Sequence, residues 1–453
     1  MADTAQLAPA GEAPTAPGRA PLLGHLLPLA RGRIAMLQSL RSQGDVVKIY
    51  LGARPVYVVN APELVHRILV TEKDTIARGR LFRKIRQYTG DGIATAEGEF
   101  HLRQRRLMRP AFHRERFRTY VEIMRDHAAA LADSWQPAQP VAVEHVMGEL
   151  ASTIISQTLC RADVGVRAAA EIHRFIPVVE KGTMRRALSP IDLLERLPTP
   201  GNRRFDRARA RLRQVINELI DVYLADPTDH GDLLSMLVSA RDEQTGAGMS
   251  REQLGDHLIT LLIAGTETTA TVLAWLFHEL GRDVRLEARL HAEVDSTLSG
   301  RPVALDNLPA LEYTQRLVKE TLRLHSPAWL SMRRTTTAID LGGTRIPADA
   351  DLVYSPTTMH RDPNLYPDPM RFDPDRWLPE RAASLPRNAF IPFGSGRYKC
   401  IGDHFSMTEA TVVLATVAAR WRLVPVRGHR VREIAETTLH PDGVPMTAVP
   451  RRA

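Results

Sequence analysis

One cysteine in a glycine-rich loop is the residue of this chain best suited to metal chemistry. Residues 393–402 read Phe-Gly-Ser-Gly-Arg-Tyr-Lys-Cys-Ile-Gly, so Cys400 lies just ahead of a helix predicted to begin near Asp403. The other cysteine, Cys160, lies far away in an apolar helical pattern. Glycines let a loop backbone come close to a bulky flat group. A single thiolate in such a loop suits an axial ligand of a haem iron, and the alternative is a buried, inert cysteine.

A stretch in the middle of a long predicted helix breaks the local rules of helix formation. Residues 264–269 read Ala-Gly-Thr-Glu-Thr-Thr, in which glycine costs about 1 kcal/mol relative to alanine and the threonines are β-branched. Such a conflict inside a regular element indicates function. The alternative is structural, because a threonine hydroxyl can bond back to its own helix and bend it. Glu267 and Thr268 are the candidate functional residues of this stretch.

Three further groups of charged residues stand out by their spacing. Glu320 and Arg323 are three residues apart on one predicted helix face, where an exposed ion pair contributes only about 0–1 kcal/mol. His101 and Arg105 lie one turn apart on another predicted helix. Five basic residues together form a candidate docking surface for an acidic protein, since complementary charge speeds encounter. The alternative is that these side chains are simply solvated. The five residues are Arg103, Arg106, Arg109, Arg397 and Lys399.

The cysteine loop resembles the haem-binding loop of the cytochrome P450 family. In that family a phenylalanine and a glycine precede the cysteine ligand and a glycine follows two residues later, which Phe393, Gly396 and Gly402 match. The resemblance covers nearly the whole chain and implies that Cys400 is the axial ligand of haem b. The family usually has arginine or histidine two residues before the cysteine, to reach a haem propionate. This chain departs from the pattern there with Tyr398.

The resemblance also assigns roles to the helical stretch. It implies that a bend at Gly265 opens a groove for dioxygen. Thr268 would then hold a water or the distal oxygen, and Glu267 would connect to a proton path. Two protons must reach bound dioxygen before its O–O bond breaks, and hydroxyl relays supply them without admitting bulk water.

The family also carries an ion network and cations for the haem propionates. Its Glu-x-x-Arg pair corresponds to Glu320 and Arg323, and Arg376 matches the arginine that joins them and pins the segment leading into the cysteine loop. Arg334 is an alternative to Arg333 at one propionate. The residues that the resemblance places at the haem are His101, Arg105, Ala264, Gly265, Arg333, Phe393, Gly394, Tyr398, Cys400 and Gly402.

Periodicity predicts a mainly α protein with small β-sheets, an α+β class, and the resemblance implies the cytochrome P450 fold. Residues 1–19 are rich in alanine and proline and are expected to form a disordered tail, with a single large domain at 20–453. Asp45–Leu51 and Val56–Val59 alternate like two strands. Residues 77–95 read as a long irregular loop. Arg251–Arg282 contains no proline and predicts one long central helix.

Composition limits the classes of function. The formal charge is +8, from 60 basic and 52 acidic residues, but no nucleic-acid motif accompanies it. Two distant cysteines fit a reducing cytosol. The longest apolar stretch, around Leu258 to Ala264, is shorter than the roughly 20 residues of a membrane span. A cytoplasmic monomer without a membrane span is therefore expected.

The activity that the resemblance implies is monooxygenation of an unactivated C–H bond, with O2 and electrons from NAD(P)H. The expected redox partners are a separate ferredoxin and ferredoxin reductase, because neither a membrane anchor nor a fused flavin domain is evident. Several runs resemble actinobacterial sesquiterpene oxygenases of the pentalenene type, which favours a terpene substrate in secondary metabolism. Alternatives are a fatty acid, steroid or macrolide substrate, a peroxide-driven peroxygenase, or a non-enzymatic haem-thiolate sensor or carrier. The expected substrate-wall residues are those of the 77–95 loop with Leu261, Leu262, Ala264, Ala328, Trp329 and Leu330.

Overall fold

The computed structural model describes residues 11–112, 114–161, 163–187, 195, 197–226 and 228–451. The chain divides into two compact units. The first comprises Met1–Arg83, Ala328–Arg371 and Ala382–Cys400. The second comprises Lys84–Pro327, Phe372–Arg381 and Ile401–Ala453. The predicted α+β class is confirmed by the many helices and short strands of both units.

The first unit is built around a five-stranded sheet of order β1-β2-β8-β5-β3. Its hairpin confirms the two strands predicted from alternation, since Val46 pairs with Val59 and Leu51 with Arg54 around a turn at Gly52, where φ is +65°. The strands of the first unit are β1 (Val46–Leu51), β2 (Arg54–Val59), β3 (Ile76–Arg78), β5 (Ser331–Thr335), β6 (Ile339–Leu341), β7 (Thr344–Ile346) and β8 (Asp351–Tyr354). Strands β6 and β7 form a separate two-stranded sheet. The helices of this unit are α1 (Leu26–Arg31), α2 (Arg33–Leu40), α3 (Pro62–His66) and α14 (Pro356–His360).

The core of the first unit lies where the sheet packs against the helical segment that follows β2. Val59 and Leu352 come from the sheet, Val65 and Ile68 from that segment, and Ile391 from the approach to the cysteine loop. All five side chains are buried. The cysteine loop is therefore reached through a packed segment, which fixes where the loop begins.

The second unit is mostly helical. Two small sheets accompany the helices, one of order β4-β12-β9 and one of β10-β11. Its helices are α5 (Gly98–Met108), α6 (Arg114–Ser134), α7 (Val143–Leu159), α8 (Asp163–Ala187), α9 (Pro200–Ala225), α10 (Leu233–Ser239), α11 (Arg251–Arg282), α12 (Val284–Leu298), α13 (Glu312–Leu324), α15 (Pro379–Ala382) and α16 (Asp403–Ala418). Its strands are β4 (Pro140–Ala142), β9 (Trp421–Pro425), β10 (Glu433–Ala435), β11 (Leu439–Pro441) and β12 (Pro445–Pro450).

Helix α11 has the bounds that the sequence predicts, and a capping box explains its start. The Ser250 hydroxyl accepts from the Gln253 N–H at 3.2 Å, and the Gln253 side chain accepts from the Ser250 N–H at 2.9 Å. By length and composition α11 could cross a membrane, so the expectation that no segment is long enough was wrong. In the protein 67% of its apolar window is buried, as for a core helix.

Two other predictions need correction. The expected disordered tail extends too far, because residues 11–19 are ordered: Gly11 donates to the Gly343 carbonyl and Ala16 to the Lys48 carbonyl, each within 2.9 Å. These bonds satisfy backbone N–H groups of the segment. Composition alone does not reveal such partners, because they lie far away in the sequence. Residues 1–10 lie outside the described residues. The expected irregular loop at 77–95 instead contains the end of β3 and a helix, α4 (Arg80–Thr89).

Candidate active site

The cysteine loop is a tight turn closed on itself. The Cys400 N–H donates to the Phe393 carbonyl at 2.9 Å, and the Lys399 N–H donates to the Gly396 carbonyl at 3.1 Å. Gly394 and Gly396 have φ of +68° and +66°, which L side chains rarely adopt. A Cβ on Gly396 would lie 1.9 Å from the Leu69 carbonyl oxygen. Only glycine lets this loop pack so closely, and Cys400 is left exposed at its end.

Two arginines meet at the tyrosine that stands in place of the expected cation. The guanidinium carbon of Arg78 lies 4.2 Å from the centroid of the Tyr398 ring, and that of Arg333 lies 5.4 Å from it. Both arginines are buried, with 6% and 3% of their surface exposed. They reach the same ring because β3 and β5 pair Arg78 with Arg333. Cation–π contact holds both guanidinium groups beside the loop.

The structure separates the two arginines that the sequence leaves as alternatives. Arg334 forms an ion pair with Asp349 at 2.7 Å. Arg333 instead turns toward Tyr398 and donates to the Met332 carbonyl at 2.9 Å. The pair beside the cysteine loop is therefore Arg78 with Arg333. Arg78 is missing from the residues predicted at the haem because it precedes Tyr398 by 320 positions, and only the β3–β5 register brings it close.

Side chains of α14 and of the segment that follows it hold the backbone just ahead of the cysteine loop. The Ile391 N–H donates to His360 Nε2 at 3.0 Å, and the Tyr366 hydroxyl donates to the Ala389 carbonyl at 3.0 Å. His360 and Tyr366 are both completely buried. Two backbone groups just ahead of Phe393 are thus fixed from outside the loop.

In the second unit, the buried length of α11 is interrupted near its middle. Residues 254–262 and 269–277 are buried, whereas 263–268 are exposed or partly exposed. The Thr268 hydroxyl donates to the Ala264 carbonyl at 2.7 Å, and the Thr266 hydroxyl donates to the Leu262 carbonyl at 2.8 Å. Both threonines therefore bond back to carbonyls of their own helix, which is the structural alternative raised by the sequence. It places the Thr268 oxygen on the accessible stretch.

Gly265 has a packing role in α11. A Cβ at this position would lie 2.9 Å from Cγ1 of Ile155 on α7. The glycine therefore allows α7 and α11 to approach closely, and the helix remains α-helical through residue 282. Packing of α7 against α11 therefore gives this glycine a structural role of its own.

Glu267 is held by groups from outside its helix. The Thr438 hydroxyl donates to Glu267 Oε1 at 2.7 Å. The Glu180 carboxyl, which α8 supplies, also forms a hydrogen bond with the Glu267 side chain. Burial raises the pKa of Glu180 well above its usual range, and the hydrogen bond and negative charge of Glu267 raise it further. Sequence spacing does not reveal this contact.

Glu320, Arg323 and Arg376 come together as a buried network. Arg323 binds both carboxylate oxygens of Glu320 at 2.8 and 2.9 Å, and Nε of Arg376 lies 3.5 Å from Oε1. The Trp377 indole N–H and the Asp373 backbone N–H donate to the same carboxylate at 3.0 and 2.9 Å. Glu320 and Arg323 are fully buried, so losing one partner would cost about 3–5 kcal/mol.

His101 and Arg105 lie on α5, whose inner face is fixed to α11. His101 and Gln104 are buried. Gln104 Oε1 accepts a hydrogen bond from Nε2 of His257 at 2.8 Å, while His257 Nδ1 accepts from the Ile93 N–H at 3.1 Å. Burial lowers the pKa of His257 to about 4, so it links these elements as a neutral ring.

Other sequence expectations are only partly met. Arg106 pairs with Asp242 at 3.1 Å and Arg397 with Asp74 at 2.9 Å. Arg103 donates to two carbonyls of residues 247 and 248. These basic side chains are therefore not simply available for docking, because local anions and carbonyls already bind them.

The residues expected to form the apolar wall differ in their exposure. Leu262 faces the helix–helix core with Leu159 of α7 and Leu258, and Leu261 is buried. Ala264 is exposed. In the first unit Trp329 is buried, while Ala328 is exposed and Leu330 is partly exposed.

The cysteine loop fits a haem ligand site, because glycines give close backbone approach, the thiol is accessible and two buried cations lie beside it. The Cytochrome P450 family model matches residues 14–450. Cyclooctatin synthase of Streptomyces melanosporofaciens is 45% identical, covering 96% of this chain and 95% of that protein. Cyclooctat-9-en-7-ol 5-monooxygenase of the same organism is 41% identical with the same coverage. Pentalenene oxygenase of Streptomyces avermitilis is 38% identical over 94% of each chain.

Solved structures agree on the fold. The heme domain of cytochrome P450DA superposes with a TM-score of 0.88 at 25% identity and covers 98% of each chain. A second cytochrome P450 has a TM-score of 0.86 at 24% identity, with 97% of this chain and 99% of that one covered. The chain therefore belongs to the cytochrome P450 family and is a monooxygenase that uses haem b.

Proposed function

We propose that this monooxygenase hydroxylates a terpene, with electrons from a ferredoxin and its reductase in the cytoplasm. The observation that carries the substrate class is the similarity, over at least 94% of the chain, to three enzymes. One is named for pentalenene and another for cyclooctat-9-en-7-ol. Both names describe unsaturated compounds, and the second carries one hydroxyl group. A terpene hydrocarbon or its mono-alcohol is the substrate class that this similarity favours.

The charges near α4 support an apolar substrate over a carboxylate. Arg80 forms ion pairs with Asp349 and Asp351, and Arg86 pairs with Asp91. Arg78 lies against Tyr398. Basic side chains of this segment would otherwise favour a fatty acid, and these three are already engaged, whereas Arg83 is exposed. On α11, Ile263 and Ala264 add an accessible apolar surface.

Haem supplies the activation of O2 when it is bound. In our proposal Cys400 ligates the iron, with Phe393, Gly394, Gly396 and Gly402 shaping its loop. Thr268 holds a water on the accessible side of α11, and Glu267 passes protons toward it. The proposed propionate partners are His101, Arg105, Arg333, Tyr398 and, from the structure, Arg78.

Spectral titration of the purified holoenzyme tests the substrate class. We expect pentalenene or cyclooctat-9-en-7-ol to displace the water ligand and produce a low-spin to high-spin shift that saturates. Lauric acid, a linear apolar chain that carries a carboxylate, is the comparison probe and should give little shift. A saturable shift with lauric acid and none with either terpene would refute the proposal.

The proposed electron donor is an acidic ferredoxin. Arg109 and Lys399 are exposed basic residues, and complementary charge would speed encounter with such a partner. We expect product only when ferredoxin, reductase and NAD(P)H are all present. Equal product formation from hydrogen peroxide alone would instead identify a peroxygenase.

A further inference from the structure

One histidine joins α11 to the hairpin of β10 and β11 (residues 433–441). Nε2 of His325 lies 3.0 Å from Oε1 of Glu279 on α11, and its Nδ1 lies 3.0 Å from Oε1 of Glu433 on β10. His325 and Glu279 are each only 6% exposed, so solvent screens their contact little. Glu433 is exposed. A single ring therefore bridges two carboxylates that belong to different elements.

A tryptophan of α11 fixes the plane of the His325 ring. The two rings stack with their centroids 4.0 Å apart and an angle of 5° between their planes. The same Trp275 donates its indole N–H to the Leu439 carbonyl at 2.8 Å, and the Leu439 N–H donates to the Pro327 carbonyl at 3.1 Å. The hairpin is therefore bound to α11 and to the segment after α13 where His325 lies.

The two carboxylate contacts require two protons on the ring. An ionised carboxylate only accepts hydrogen bonds, and a neutral imidazole has one N–H donor whereas the charged ring has two. Burial acts to raise the pKa of Glu279, but the hydrogen bond and charge of His325, together with Arg282, hold it below its usual value. Glu279 is therefore an ionised acceptor. Only the charged form of His325 donates to both Glu279 and Glu433.

Other charged groups near this contact do not replace His325. Arg282 lies 3.4 Å from the Glu279 carboxylate. Burial lowers the pKa of His278, and although Glu279 acts to raise it, Arg282, His325 and His429 lower it further. His278 is therefore neutral near pH 7. Arg282 remains a partner of Glu279, whereas His325 is the group that also reaches the hairpin.

We propose that His325 is a positioning residue whose charged form fixes the hairpin against α11. The hairpin carries Thr438, whose hydroxyl donates to Glu267 at 2.7 Å on the accessible stretch of α11. When the His325 ring is neutral, one carboxylate contact is lost and the hairpin is held less firmly beside that stretch. The effect on the substrate rests on the proposed function, whereas the effect on the hairpin does not.

The proposal makes the position of the hairpin depend on pH in a stated direction. Histidine is the side chain that ordinarily changes charge between about pH 5 and pH 8. Both carboxylate contacts are present at the acidic end, and one is lost toward the alkaline end. Glu433→Gln removes this dependence, because the amide can donate to Nδ1 of a neutral ring while Nε2 donates to Glu279.

Hydrogen exchange of the hairpin amides in the substrate-free holoenzyme tests the proposal. The rates are compared at about pH 6 and about pH 8.5, after correction for the intrinsic pH dependence of exchange. His325→Phe keeps the stack on Trp275 and removes both contacts, so residues 433–441 should exchange about tenfold faster than in the native protein at pH 6. The native hairpin should lose protection at pH 8.5, and the Glu433→Gln hairpin should stay protected at both values.

A control variant makes the same substitution at an exposed histidine. His145 of α7 lies 3.3 Å from Glu149 at the surface. His145→Phe should leave exchange of residues 433–441 at the native rate at both pH values.

Spectral titration with cyclooctat-9-en-7-ol gives a second measurement. At pH 6 the Kd should rise by about fivefold or more in His325→Phe, the lower end of typical coupling between sites. Glu433→Gln should keep the native Kd at pH 6 and hold it at pH 8.5, where the native protein should bind more weakly.

The outcomes separate this inference from the proposed function. Native exchange rates in the His325→Phe hairpin, or the same pH dependence in Glu433→Gln as in the native protein, would overturn the role of His325. Faster exchange with an unchanged Kd would limit His325 to the fold and overturn its positioning role. Failure of any terpene to shift the spin state would refute the substrate class, while the exchange result would still stand.

Discussion

At the scale of single residues, the site compensates for its own departure from the family pattern. Tyr398 brings no charge to the position two residues before the cysteine. Arg78 and Arg333 bring two charges to its ring, from neighbouring strands of the same sheet. The ring of Tyr398 thus contacts both guanidinium groups and holds them beside the cysteine loop. Arg78 is the additional residue that we expect to contribute to haem binding.

Replacing Arg78 with alanine should speed haem loss. A hydrogen bond to a charged group contributes about 1.5–3 kcal/mol, and 1.4 kcal/mol corresponds to about tenfold in an equilibrium constant. We expect at least tenfold faster transfer of haem to excess apomyoglobin. The midpoint potential should shift too, because a cation beside the haem is removed.

Two variants make the Arg78 result specific. Arg83→Ala, five positions further along the chain, should leave haem retention unchanged. Tyr398→Arg in the Arg78→Ala background should restore it, since arginine there would return the family's usual cation. Haem transfer from Arg78→Ala at the native rate would show that Arg78 only packs against Tyr398.

At the scale of elements, the helices and strands that depend on local sequence were the ones that the sequence predicted. The proline-free run predicted α11, whose start the capping box of Ser250 and Gln253 explains, and alternation predicted β1 and β2. The helix α4 was missed because its charged residues and flanking glycines look like loop: 80–89 has only Leu81, Phe82 and Ile85 as large aliphatic or phenyl side chains. Ion pairs with Asp349 and Asp91 now explain how its arginines are accommodated.

Long-range contacts account for the site residues that the sequence did not reveal. The loop glycines and the network of Glu320 and Arg323 have local spacing, so they could be found from the motif. Arg78 reaches Tyr398 only through strand register, and Glu180 reaches Glu267 only through packing of α8 on α11.

At the scale of the whole molecule, one buried carboxyl connects stability to pH. Glu409 lies on α16 and is completely buried. Neither of its carboxyl oxygens has a hydrogen-bond partner among the described residues. Burial raises the pKa of Glu409 well above its usual range. The folded protein therefore keeps a proton there that the unfolded chain loses above about pH 4.3.

The sign of the effect follows from proton binding. Between about pH 4.3 and the raised pKa of Glu409, the folded state binds one more proton than the unfolded state at this site. The free energy of unfolding should fall by about 1.4 kcal/mol per pH unit from this group alone. The loss begins as pH rises above the unfolded value and ends at the folded pKa.

Glu409→Gln should remove that dependence, because an amide of similar shape does not ionise. Denaturant unfolding of the holoenzyme between pH 5 and pH 8 measures it, and we expect a flatter stability curve that lies above the native one at the alkaline end. Glu122→Gln, on the exposed face of α6, is the control and should follow the native curve. A Glu409→Gln curve parallel to the native one would mean that Glu409 is ionised in the folded protein, with a counter-charge or water satisfying it.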